Sequence, residues 1–318
     1  MTRAARPRSP RPPPGGLFDL QVNGFAGVDF QAEALTRPEI RAAVRALRRH
    51  GMDRILLTLI TDDVDRMCRK LEVIEAHRRK DPEIARTIVG YHLEGPYLLA
   101  EPGFAGAHDP RWMHPPQRAE WERLWAASGG NVRLVTLAPE LRGAPEFIGE
   151  LVRRGVRVAV GHSNVGDAAL DEAIVAGLSL CTHLGNGVPQ ILHRHDNVIQ
   201  RLLARDALYA TFIPDGIHLP WNVLRNFVRA KPRAKVLFTT DCMSAAGAPP
   251  GRYRLAGMEL DVGEDRVVRQ PGETRSFAGS ALTLDEAVTN LETHLGWTRA
   301  AAEAACGSRV ARFLGFPA

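Results

Sequence analysis

Eight short apolar segments recur along the chain, nearly every one running into polar or ionisable residues at or just past its C-terminal end, and this recurrence restricts the fold more than any other feature. The segments are 17–24, 54–60, 85–94, 132–138, 156–162, 178–183, 209–215 and 235–240. Each has the length and apolar content of a buried strand. Segments with helical spacing of apolar residues separate them, at 38–50, 64–79, 117–128, 144–154, 167–176, 197–205 and 220–230. Strand and helix in strict alternation predict a (β/α)8 barrel. A doubly wound sheet is the alternative, because alternation alone does not show closure. No G-x-G-x-x-G or Walker pattern opens any of the helices, which weighs against a nucleotide site.

The polar groups fall where a barrel carries chemistry. Gln21 and Asn23 end the first segment, and His92 and Glu94 the third. His162, Ser163 and Asn164 end the fifth, His183 and Asn186 the sixth. Asp215 and His218 end the seventh, and Asp241 follows the eighth. Core packing has no use for imidazole and carboxylate at one end of successive strands, whereas a barrel active site is built there. Taken singly, each group has a plainer reading. Asp241 suits a helix N-cap, His92 a hydrogen-bonded core histidine, Asn164 and Asp215 turn formers, and His108 a solvated loop residue. Taken together, Glu94, His162 and His183 offer one carboxylate and two imidazoles, a set that suits Zn²⁺ or a similar divalent ion with a position left for water. Asp241 then becomes the proton-transfer group beside that ion.

Charge and composition exclude several classes. The formal net charge is +5, but Arg3, Arg6, Arg8 and Arg11 lie in a Pro-rich leader, so the body is close to neutral. No basic face for nucleic acid is evident. No apolar run approaches the roughly 20 residues that span a bilayer. Cys68, Cys181, Cys242 and Cys306 are scattered without C-x-x-C pairing, which predicts reduced thiols in a cytoplasm. Residues 1–16 read as a disordered Pro/Arg-rich tail and 17–318 as one catalytic barrel. Within it, 252–277 reads as a β-hairpin inserted after strand eight and turning at 263–265. Helices at 284–295 and 298–312 follow.

The motifs together resemble the N-acetylglucosamine-6-phosphate deacetylases of the amidohydrolase superfamily. The matching residues are Phe18-Asp19-Leu20-Gln21-Val22-Asn23-Gly24, His92-Leu93-Glu94-Gly95-Pro96, Gly161-His162-Ser163-Asn164, Thr182-His183-Leu184, Asp215-Gly216-Ile217-His218, Thr240-Asp241 and Gly279-Ser280-Ala281-Leu282-Thr283. They occur in the family's order. The resemblance implies a TIM barrel of the metal-dependent hydrolase type that deacetylates an N-acetylated amino sugar, a small-molecule substrate. It implies one divalent metal ion, with Zn²⁺ as the first choice, on Glu94, His162 and His183, with Asp241 as acid and base. It implies that His108 polarises the acetyl carbonyl and that His218 contacts substrate, with Gln21 and Asn23 beside it. Asn186 and Gly187 would meet the sugar phosphate. Arg194 would do so from the second subunit of a homodimer.

The chain departs from the family's pattern in four places. Gln21-Val22-Asn23 stands where the superfamily commonly has His-x-His, and neutral amides are poor zinc ligands. The segments 184–188 and 193–197 differ from the family's usual sequences. The flanking strands that build a small β-sandwich are largely missing. The second and third departures leave open a sugar without phosphate. Another amidohydrolase reaction, on a cyclic amide or amine, is the alternative chemistry.

Overall fold

The computed structural model describes residues 16–272 and 278–317. The tail expected over 1–16, apart from Gly16, and residues 273–277 of the expected insertion lie outside the described residues.

Eight parallel strands form one sheet in chain order. They are Leu17–Val22, Met52–Ile60, Ile88–Glu94, Val132–Leu137, Arg157–Val160, Leu180–Cys181, Tyr209–Phe212 and Val236–Phe238, called strands one to eight below. Helices alternate with them, as expected of a (β/α)8 barrel. Strands one and eight meet at a seam made largely by groups at their ends. Val22 bridges Cys242, Asn23 N–H donates to the Cys242 carbonyl at 2.7 Å, and Asp19 accepts from Thr239 and Thr240.

Alternation along the strands builds the barrel interior in layers. Leu56, Leu134, Leu180 and Leu237 belong to one buried cluster. Two residues further along, on the same side of each strand, stand Thr58, Thr136, Thr182 and Thr239. His92 joins the upper layer. It pairs with Thr136 Oγ1 at 2.8 Å, and Thr136 pairs in turn with Thr182 at 2.7 Å. His92 is therefore the hydrogen-bonded core histidine of the plainer reading. The lower layer is closed by the C-terminal helix Ser308–Leu314, which packs Val310, Ala311 and Phe313 against Phe18 and Leu20.

Some boundaries differ from the sequence reading. Residues 85–87 are helical rather than extended, because Asp81 caps a new helix, Pro82–Thr87, with proline in its first turn. The last helical stretch is two helices, Arg299–Ala305 and Ser308–Leu314, broken at Gly307. A Cβ there would lie 2.7 Å from the Gly16 carbonyl, so strand one passes too close for any other residue. The insertion is three-stranded, Gly251–Leu255, Met258–Val262 and Val268–Arg269. Its tight turn is Ala256-Gly257, both at positive φ as a two-residue hairpin requires, and the segment at 263–267 is the second turn. Among the described residues, the strands outside the barrel sheet are these three and a two-stranded ribbon after strand one. No described helix is long and apolar enough to cross a membrane. All four cysteines are buried and free.

Candidate active site

The strand ends open into one cavity of about 580 Å³. Asn23, Glu94, His108, His162, His183, Asn186, Gly187, His218 and Asp241 all line it. Gln21 does not. It is fully buried below the cavity, and neither side-chain polar atom meets a partner among the described residues. Arg194 is solvent-exposed and lies outside the lining, although its neighbours Pro189, Gln190 and Leu192 contribute to it.

Glu94, His162 and His183 present one ligand atom each within 4.8 Å of one another, all three side chains being buried. His183 Nε2 lies 2.8 Å and His162 Nε2 3.4 Å from Glu94 Oε1. His162 Nδ1 donates to the Phe104 carbonyl at 2.7 Å, which fixes the ring with Nε2 facing Glu94 and would turn the Nε2 lone pair to a bound cation. The donors fit a divalent cation. Burial alone would raise the Glu94 carboxyl, but hydrogen bonds from His162 and His183 hold it well below its usual range. Burial likewise opposes the charged form of His183, yet pairing with Glu94 wins and raises its pKa.

His108 sits over this cluster, with Nε2 3.6 Å from Glu94 Oε2. The backbone N–H of Thr61 donates to His108 Nδ1 at 3.2 Å. Nδ1 is thus an acceptor, and the proton of the neutral ring is on Nε2, toward the cavity. Burial pushes His108 down to about 3, so the ring is neutral near pH 7. His218 is oriented in a similar way: Nδ1 donates to Asp215 Oδ2 at 2.6 Å, and Asp215 also accepts from the backbone of Ile217 and His218. Ser163 and the Asn164 backbone instead bind Glu140, at 2.7 and 2.6 Å, on the outer side of the fifth strand's end.

Asp241 is held by strand one. Asn23 Nδ2 donates to its Oδ1 at 2.7 Å. Beneath it, Asp19 accepts from Thr239 and Thr240, while Ser280 binds the carbonyls of Thr240 and Asp241 at 2.6 and 3.0 Å. Burial, then the charge of Glu94, pushes Asp241 up to about 7. Its backbone is left-handed, with φ +51°, as is that of His162 at +51° and His183 at +28°. Left-handed backbone at a non-glycine residue costs free energy and persists where surrounding bonds impose it. Here it turns three chemistry-bearing side chains inward.

No protein-family model matches the chain. An N-acetylglucosamine-6-phosphate deacetylase of Danio rerio is 34% identical over 310 residues, covering 94% of this chain and 74% of that protein. The chain belongs to the N-acetylglucosamine-6-phosphate deacetylase family. An N-acetylgalactosamine-6-phosphate deacetylase of Shewanella is 33% identical over 286 residues, covering 88% of this chain and 68% of that protein. In three dimensions the family likeness is close. A single-residue variant of the N-acetyl-D-glucosamine-6-phosphate deacetylase of Mycobacterium smegmatis, solved with N-acetyl-D-glucosamine-6-phosphate, superposes with a TM-score of 0.86 at 31% identity. It covers 96% of this chain and 78% of that one.

Sequence reasoning missed two deacetylase residues that organise this site. Thr61 follows the apolar run of strand two and carries the same signal as the other strand ends. Asp19 lies within a recognised motif but has no role until its partners on strand eight are seen.

Proposed function

We propose that this chain hydrolyses the acetamide of an N-acetylhexosamine 6-phosphate, with N-acetylglucosamine 6-phosphate as the first choice. The observation that carries the reading is the convergence of Glu94, His162 and His183 with His108 and Asp241 on one cavity. A divalent cation on the three ligands supplies Lewis acidity, making water a source of hydroxide near neutral pH. The nitrogen and oxygen donors together suit zinc.

The chain's own groups carry the proton and the charge. As water adds to the acetyl carbon, Asp241 accepts its proton. His108 Nε2–H donates to the carbonyl oxygen as that oxygen gains charge. Asp241 then gives the proton to the amide nitrogen, the C–N bond breaks, and acetate and the amine leave. A carboxyl lifted by burial to about 7 both accepts and releases a proton at neutral pH. With a cation held by Glu94, His162 and His183, that value would be lower and Asp241 would begin the cycle ionised. His218, fixed by Asp215, offers Nε2 to the sugar, and Asn186 and Gly187, which line the cavity, are the groups offered to the phosphate.

Arg194, exposed and close in sequence to the lining residues Gln190 and Leu192, fits the role of a phosphate ligand for a neighbouring subunit, in which case the working form is a homodimer. Four buried free thiols suit a reducing cytoplasm. The galacto epimer is the second substrate to try, because a relative of comparable identity bears that name.

The test is acetate release by zinc-loaded protein from N-acetylglucosamine 6-phosphate, N-acetylgalactosamine 6-phosphate and free N-acetylglucosamine. Fastest turnover of a phosphorylated sugar is the expected result. Absence of acetate from all three sinks the proposal.

A further inference from the structure

The cavity has two apolar regions with different settings. Val188, Leu192 and Ile199 are half-buried and belong to the segment after strand six. Ile60, Ala107 and Leu255 lie on the side of strands two, three and eight. Ile60 is 6% and Leu255 2% exposed, and Ala107 packs against the same buried cluster. This second group is tied to the reacting side chains. Ile60 precedes Thr61, whose N–H holds His108, and Ala107 precedes His108 itself. Leu255 follows Arg254, whose carbonyl accepts from Ser244 Oγ at 2.6 Å, three residues beyond Asp241.

An acetamide makes three demands on a site. Its oxygen needs a donor, its nitrogen needs a proton source, and its methyl needs an apolar wall. His108 and Asp241 meet the first two, and the buried Ile60 and Leu255, with the half-buried Ala107 packed on their cluster, are the apolar side chains linked to both. We propose that these three residues form the acyl pocket, and that Leu255 sets the length of acyl group accepted. This deepens the reading of the chain as an amino-sugar deacetylase and rests on it. Leu255 is backed by Met243, Leu260, Val262 and Val268, so it is held in a packed cluster and cannot readily retreat. An N-propionyl or N-butyryl sugar would react by the same chemistry. Water adds, the C–N bond breaks, and the longer carboxylate leaves with the same amine. What opposes it is the extra methylene against Leu255. The three-stranded insertion thus acts as a ruler for the acyl chain.

The experiment compares N-acetyl- and N-propionylglucosamine 6-phosphate in two ways. The first is kcat/KM in the wild-type protein and in Leu255→Ala. The wild-type chain should favour acetyl by roughly tenfold to 200-fold, the range for one methylene in a fitted pocket. Leu255→Ala should shrink that preference at least tenfold, and Leu255→Val should move it the same way if the alanine variant fails to fold. The second is calorimetric affinity for the same two sugars in Asp241→Asn, with and without Leu255→Ala, which needs no turnover. The ratio of affinities should shift toward propionyl. If neither ratio moves, or neither sugar binds, the acyl-pocket assignment is overturned. If binding selectivity shifts while the wild-type protein releases no acetate, the pocket stands and the proposed reaction falls.

Discussion

The carboxylate of Asp19 accepts two hydrogen bonds from Thr240, one from the backbone N–H at 3.1 Å and one from the hydroxyl at 2.6 Å. Thr240 immediately precedes Asp241, so the first strand grips the last just below the proposed proton-transfer group. Burial raises the Asp19 pKa, and the bonds from Thr239 and Thr240 work against that rise. Asp19→Asn puts an amide donor where donors already point. The expected outcome is a fall in kcat with KM nearly unchanged and bound metal retained. Stability should fall by roughly 2–5 kcal/mol, from buried donors left unpaired. Thr240→Ser should keep activity and Thr240→Val should lose it. A rise in KM alone would assign Asp19 to substrate binding instead.

Asp241→Asn removes the proposed proton-transfer group and leaves the three proposed metal ligands in place. Turnover should drop by roughly 10²–10⁴-fold, the usual worth of a general acid-base group. Metal analysis of the purified variant should match the wild-type protein. Near-normal turnover would move the role to another group.

Metal affinity should rise with pH. In the metal-free chain, pairing with Glu94 raises the His183 pKa, so the ring tends to hold a proton that a metal must expel. The sign follows: a group protonated in the free form and deprotonated in the bound form disfavours binding at low pH. Zinc affinity should therefore climb about tenfold per pH unit below the His183 pKa, for one proton displaced. Calorimetry in buffers of different ionisation enthalpy counts that proton. A flat profile between about pH 5 and 6.5 would show that His183 binds as a ring already neutral.

Phe313→Ala tests the plug under the barrel. Phe313 is 4% exposed and meets Tyr209 in a tilted contact, ring centroids 4.7 Å apart, within the cluster that holds Phe18 and Leu20. Deleting a buried phenyl ring costs about 3–5 kcal/mol. Denaturant unfolding should show that loss, while kcat/KM of the folded fraction stays close to wild type, because the cavity is at the opposite end. A selective loss of kcat/KM would show that the two ends are coupled.

Much of the site was legible because polar residues stand out at the ends of apolar runs. Glu94, His162, His183 and Asp241 need only that contrast and the regular alternation of elements. Gln21 shares it and is nonetheless buried outside the cavity lining, on a stretch of strand one whose register with strand two is irregular between Asp19 and Val22. Leu255 was not legible: an apolar residue in an apolar cluster reads as core, and only the folded sheet brings it to the wall. The insertion read as one hairpin because Ala256-Gly257 turns in two residues without interrupting the strand-like pattern. Asp19 needed a partner 221 positions away, beyond the reach of any local pattern.

That separation has a consequence for how the chain becomes active. Glu94, His162 and His183 come from strands three, five and six, whereas Asp241 takes its place only when strand eight reaches back to Asp19 and Asn23. Contacts of such long range carry the heaviest loop-closure cost and form late. A nascent chain emerging from the ribosome carries Glu94, His162 and His183 before Asp241, the proposed acid and base, has been added. Hydrolysis is withheld until the ring shuts.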